Sequence, residues 1–181
     1  MAVLETRRLV LRPFTELDAE DLYAYARDPR VGPIAGWKPH GSIEESREII
    51  RTVFAAPNVF AVVEKATGKV IGSAGFVGQG HGDGAGPSDE IGYALSPAYW
   101  GRGLIPEAVE RLIAYGFQDL GLREIWCAHY QENVRSRRVI EKSGFTYMFT
   151  EHLSDEFFPD RPTLFYVLLR EDWERGASHH G

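Results

Sequence analysis

Cysteine is all but missing. Cys127 is the only one in 181 residues, which excludes an internal disulfide framework and suits a reducing compartment. It lies in an apolar run beside Trp126 and Ala128. A buried structural thiol is expected there rather than a nucleophile, because free cysteines are among the most buried residues. Metal-ligand spacing is missing too. The six histidines give no metal-ligand spacing, and Asp83 and Asp89 do not have calcium-loop spacing, so no metal is expected. No apolar run reaches the roughly 18 residues of a membrane span. Met1 to Glu5 has neither the charged nor the apolar region of a signal peptide. A cytoplasmic protein with no membrane partner is the expectation. Basic residues are the minority, 20 Lys and Arg against 26 Asp and Glu, for a net charge of −6. That balance speaks against a nucleic-acid backbone as partner and is compatible with a cationic amine.

What is present is ordinary for a globular chain: 44% hydrophobic and 25% charged residues. A chain of this length buries roughly 70% of its unfolded surface, so its core needs no staples. One domain over residues 1–175 is expected, with a tail over 176–181 that carries His179 and His180. In chain order, Arg7 to Arg12 reads as a strand, and Thr15-Glu16-Leu17-Asp18 opens a helix as a capping box. Val31 to Gly41 reads as a Gly- and Pro-bearing loop with Trp37 in it. Ser42-Ile43-Glu44-Glu45 opens a second helix. Two strands, Asn58 to Glu64 and Val70 to Val77, flank a turn at Lys65 to Lys69. Five glycines between Gly78 and Ser88 precede no helix, so that stretch reads as a hairpin connection. Strands at Arg123–His129, Phe145–His152 and Thr163–Leu169 and a helix from Asn133 to Ser143 complete a β-α-α-β-β-β-α-β-α-β-β order, which fits a mixed-sheet α/β layer fold.

The chain is organised around Glu90 to Phe145. A strand, Glu90 to Leu95, turns at Ser96 to Tyr99 and enters Trp100-Gly101-Arg102-Gly103-Leu104-Ile105-Pro106, which runs straight into a helix. Glycines allow close backbone approach to a ligand, and the first helical N–H groups have no intrahelical partner. Such a place suits a phosphate, because the helix dipole is positive there. Ile105, Ala108, Val109, Leu112, Ile113 and Gly116 share one helical face, and Gly121 is a natural stop. A P-loop would need Lys-Ser or Lys-Thr where Leu104-Ile105 stand, and a dinucleotide fingerprint would need glycine at Pro106. On the loop alone, an ordinary tight strand-to-helix turn remains an equal reading.

Downstream, Asn133-Val134-Arg135-Ser136 opens a helix that closes in Glu141-Lys142-Ser143-Gly144-Phe145. With the Ile91-Gly92-Tyr93 strand, the Trp100-Gly101-x-Gly103 loop and an N-terminal pattern of Leu4, Thr6, Arg8, Leu9, Leu11 and Arg12, this ordered set resembles the GNAT superfamily of acetyl-CoA-dependent N-acetyltransferases. Its closest branch is similar to the ribosomal-protein N-terminal acetyltransferases of the RimJ/RimL type. The resemblance covers roughly Leu4 to Trp173. Two positions depart from the superfamily loop: Trp100 stands where Gln or Arg is usual, and Ile105 where Gly or Ala is usual.

The resemblance implies a single-domain fold with a mixed, mostly antiparallel twisted sheet of about seven strands, four flanking helices and a splayed parallel strand pair. It implies acetyl-CoA as co-substrate and an amine as acceptor, a protein N-terminus first. The alternatives are a small amine (aminoglycoside, polyamine or amino-acid analogue) or a non-catalytic acyl-CoA sensor. Dimers are common in the family, so a homodimer stays open. Main-chain groups of Ala94, Leu95 and Ser96 would pair with the pantetheine arm, and the segment Trp100, Gly101, Arg102, Gly103, Leu104 and Ile105 would hold the pyrophosphate. Asn133 would bond the arm or cap its helix, or do both. Ser136 would protonate or polarise the leaving thiolate. For the base, Glu90 comes first and Asp155 second, with Glu151, Glu156, His129 and Tyr130 as rivals.

Overall fold

The computed structural model describes residues 2–78, 80–82, 84–154 and 159–179. Its strands are β1 (Leu4–Glu5), β2 (Leu9–Arg12), β3 (Val59–Glu64), β4 (Val70–Phe76), β5 (Ser88–Leu95), β6 (Glu124–Tyr130), β7 (Thr146–Leu153) and β8 (Arg161–Leu169). They follow the order β1-β2-β3-β4-β5-β6-β8-β7 in an eight-stranded sheet. The helices are α1 (Ala19–Ala26), α2 (Gly32–Ala35), α3 (Ile43–Thr52), α4 (Leu104–Gln118), α5 (Val134–Lys142) and α6 (Arg170–His179). The chain divides into two compact units, Met1–Phe76 with Gly92–Arg111 and Val77–Ile91 with Leu112–Gly181.

In the first unit, β1 to β4 form an antiparallel meander, with Leu4 opposite Leu11 and Leu9 opposite Glu64. β-Branched and aromatic residues crowd β3, where Phe60 to Val63 are buried. Leu22, Tyr25 and Ile50 from α1 and α3 pack with Ala61, Val63 and Val70. Both helix starts use the signals in the sequence. Ser42 Oγ accepts from the Glu45 amide at 3.1 Å, and Glu45 Oε2 accepts from the Gly41 amide at 2.7 Å. Asp18 Oδ2 accepts from the Thr15 amide at 2.8 Å. The same carboxylate takes a two-pronged contact from Arg12 at 2.8 and 2.9 Å. Burial pushes the Asp18 pKa up, but the Arg12 and Thr15 hydrogen bonds outweigh it and hold the acid below its usual range.

In the second unit, β5 pairs in parallel with β6 from Ser88 opposite Glu124 to Ile91 opposite Cys127. There the parallel ladder ends among the described residues, while β5 runs on to Leu95 and β6 to Tyr130. β8 lies antiparallel to both β6 and β7. The face expected on α4 is the buried one: Ile105, Ala108, Val109, Leu112 and Ile113 are each 7% exposed or less.

The structure adds elements to the expected set. The short β1 precedes β2 and raises the strand number to eight. Part of the stretch read as a loop from Val31 to Gly41 forms α2, and there Trp37 packs against the α1–α3 core. The C-terminal residues form α6, which runs through Gly176 to His179. Among the described residues, no helix is long and apolar enough to cross a membrane.

Candidate active site

In the first unit, the segment after β5 is held by a main-chain bond and by the side chains of Trp100 and Arg30. The Ser96 amide donates to the Ile71 carbonyl at 2.8 Å, so β5 stays tied to β4 up to that residue. Trp100 Nε1 donates to the Leu95 carbonyl at 2.9 Å and closes the turn between them. The Arg30 guanidinium lies 5.8 Å from the centre of the Trp100 ring. These contacts give Trp100 a structural task that explains an aromatic there in place of the usual Gln or Arg. They also show that two of the main-chain groups expected to meet the pantetheine arm, the Ser96 N–H and the Leu95 carbonyl, already have protein partners.

Beyond Trp100 the chain reverses. Gly101 and Gly103 have φ of 78° and 73°, in the left-handed region where a Cβ is costly. Among the described residues, the amides of Gly101, Arg102, Gly103, Leu104 and Ile105 meet no protein acceptor. The first helical hydrogen bond past them is Glu107 N–H to the Gly103 carbonyl, at 3.3 Å. A run of N–H groups without a protein acceptor at the positive end of a 15-residue helix suits an anion. The Arg102 side chain is exposed, with its guanidinium 5.0 Å from the centre of the Tyr99 ring, so it adds a cation at the rim.

The second unit holds Glu90, Asn133 and Ser136. Glu90 Oε1 lies 2.7 Å from His81 Nε2. The His81 ring packs on Phe165 and Trp126, with ring centres 4.7 and 5.5 Å apart. Burial pushes the Glu90 carboxyl above the usual carboxylate range, and the His81 hydrogen bond pulls the other way. A carboxyl titrating closer to neutrality is a better proton acceptor than an ordinary glutamate. His81 is the residue sequence reasoning missed. It sits in the glycine-rich β4–β5 connection, where the only available signal was a lone histidine among small residues.

Asn133 is a helix N-cap: its Oδ1 accepts from the Ser136 amide at 3.1 Å. Ser136 is 7% exposed, so it is not a surface helix serine. His129 does not fit a free base. Its Nδ1 lies 2.7 Å from the Tyr130 carbonyl, which can only accept, so Nδ1 carries the proton and Nε2, 3.1 Å from Tyr166 Oη, accepts. Burial lowers its pKa, against the Tyr130 hydrogen bond, which pulls the other way. Glu151 is exposed. Asp155 and Glu156 lie outside the described residues. Cys127 is 1% exposed, its thiol 3.5 Å from the Ile91 carbonyl, and burial pushes its pKa up, so it is an inert core thiol. Among the described residues, no cluster of three or more His, Cys, Asp or Glu could hold a metal.

Residues 8–146 match the acetyltransferase (GNAT) domain family. An uncharacterized N-acetyltransferase of Bacillus licheniformis, p20, is 34% identical over 152 residues, covering 80% of this chain and 83% of the relative. A GNAT-family acetyltransferase structure from Bacillus anthracis superposes with a TM-score of 0.82 at 24% identity, over 94% of this chain and 99% of the other. The ribosomal-protein-S5-alanine acetyltransferase of Vibrio fischeri has a TM-score of 0.76 at 21% identity, over 96% of this chain and 99% of that one. At these identities the two structural likenesses speak for the fold.

Proposed function

The chain belongs to the GNAT acetyltransferases, and from that premise we propose that it moves the acetyl group of acetyl-CoA to a protein N-terminal α-amine, with Glu90 as the base. Enzymes of this family use acetyl-CoA, and the residues present fit it. The unpaired amides of Gly101 to Ile105 suit its pyrophosphate, which is the observation that carries the cofactor assignment. In the reaction the neutral amine attacks the thioester carbonyl. A C–N bond forms, the C–S bond breaks, the amine proton leaves to Glu90, and the departing thiolate takes a proton. Ser136 serves that last step by donating toward the sulfur, its hydroxyl regaining a proton from solvent, to which Glu90 returns the amine proton. The acceptor follows the sequence resemblance to ribosomal-protein N-terminal acetyltransferases, and the net charge of −6 supports a cationic partner.

A panel of N-terminal peptides and small amines with acetyl-CoA, read by free thiol release, tests the reading. Preference for peptides supports it. Preference for aminoglycosides, polyamines or amino-acid analogues replaces the acceptor, and acetyl-CoA binding without thiol release makes the protein a sensor. Acetyl-CoA also raises the melting temperature, because it binds the folded state, while ATP and NAD do not.

Ser136→Ala leaves acetyl-CoA affinity near the parent value and slows single turnover by about 10-fold, since a leaving-group proton matters only near the transition state. Stopped-flow thiol detection together with calorimetric binding checks both halves. An equal loss of affinity and rate would move Ser136 from chemistry to binding.

A further inference from the structure

The turn at Gly101 to Ile105 is held from one side by a residue far away in sequence, just before β2. Arg8 stands at the approach to β2, and its guanidinium makes two directed contacts in the first unit. Its NH1 donates to the Arg102 carbonyl at 2.9 Å, and its Nε donates to Glu107 Oε1 at 2.8 Å. The Arg8 main-chain N–H donates to the other oxygen of Glu107 at 3.0 Å. That oxygen also takes the Thr6 hydroxyl, which in turn accepts from the Leu9 amide at 2.9 Å.

Two consequences follow from this geometry. A peptide group is planar and trans, so its C=O and N–H point in opposite directions. With the Arg102 carbonyl fixed on Arg8, the Gly103 N–H is directed away from Arg8, to the side where a ligand would meet it. The left-handed φ of 73° at Gly103 lets the chain hold that orientation while entering the helix. The second consequence is electrostatic. Glu107 lies in the first turn of α4. An unrestrained carboxylate there would be drawn to the same amides as a phosphate and would repel it. Both of its oxygens are instead committed to Arg8 and Thr6. Burial pushes Glu107 up, but these hydrogen bonds win and keep it ionised below its usual range.

We infer that Arg8 is a positioning residue for the acetyl-CoA pyrophosphate: it orients the Gly103 amide through the Arg102 carbonyl and withholds Glu107 from the cradle. The inference rests on the reading of Gly101 to Ile105 as the pyrophosphate site. Arginine suits the task and lysine does not, because only a planar fork donates along two fixed directions at once.

The test compares two acetyl donors, acetyl-CoA and S-acetylpantetheine, which lacks the phosphates. For Arg8→Ala, the KM and dissociation constant for acetyl-CoA rise about 10- to 30-fold, in line with losing charge-assisted hydrogen bonds. Its kcat/KM with S-acetylpantetheine stays within about twofold, since a positioning effect on phosphate contacts leaves the arm and the chemistry alone. Arg8→Lys, which keeps the charge and protects the fold, recovers only part of the acetyl-CoA affinity. Unchanged acetyl-CoA binding in both folded Arg8 variants overturns the inference. So does an equal loss with both donors, which would make Arg8 a general support of the fold. If the parent protein does not prefer acetyl-CoA over S-acetylpantetheine, the cradle reading itself falls and the inference falls with it.

Discussion

Glu90→Gln lowers the single-turnover rate of acetyl transfer by about 10²- to 10⁴-fold at neutral pH, the range over which a positioned general base acts. The sign of the pH dependence follows from the surroundings of Glu90. Its carboxyl is raised by burial, so in the parent it becomes protonated, and the rate falls, as pH drops through a value above the usual carboxylate range. In the glutamine variant that acid limb is gone. The gap to the parent narrows at alkaline pH, where more of the amine is already neutral. His81 gives an independent check. Its hydrogen bond pulls the Glu90 pKa down, so His81→Ala lets that pKa rise and moves the acid limb of kcat/KM to higher pH. A pH–rate profile of the three proteins, with Asp155→Asn beside them, decides among the bases. If Glu90→Gln follows the parent while Asp155→Asn collapses, Asp155 is the base. If the His81→Ala limb moves to lower pH, the limb does not report a Glu90 carboxyl held down by His81. If no variant changes the rate, water takes the proton and catalysis rests on positioning.

Gly103→Val weakens acetyl-CoA binding by about 10²-fold while the protein still folds, because the cradle's geometry depends on a backbone conformation that valine resists. The cause is conformational more than steric. A Cβ at residue 103 would find Arg8 NH2 no nearer than 3.6 Å, an ordinary contact, whereas a φ of 73° is a strained place for a β-branched side chain. Holding it there costs about 1–3 kcal/mol, and the loop relieves that cost by turning its amides. For a chain of this size the accompanying fall in melting temperature is about 2–10 °C. Isothermal calorimetry with acetyl-CoA and a thermal melt read the two effects separately. Unchanged affinity in a folded variant would place the cradle elsewhere.

Much of the frame could be read from the chain because its signals are local. The Ser42 cap works as a cap, the apolar face of α4 is the buried face, and Asn133 caps α5, since each depends on residues within a turn or two of one another. The glycine loop could be read for the same reason: an unpaired helix start and two tight backbone positions are properties of consecutive residues. Weak or short elements were harder. The two-residue β1 carries no periodicity, and α2 offers only four residues inside a Gly- and Pro-bearing stretch.

Neighbouring residues alone carried enough to place the tight turn at Gly101 and Gly103 and the buried face of α4. Which charges meet was set by the fold. Glu107 lies on the more polar side of α4, yet strand placement brings it to Arg8, 99 residues away. Glu90 meets His81 because that ring packs on Trp126 and Phe165, and both ring nitrogens of His129 meet partners, the Tyr130 carbonyl and the Tyr166 hydroxyl. Propensity and periodicity act between chain neighbours, but a carboxylate's protonation and a carbonyl's direction depend on what strand order and register set beside them.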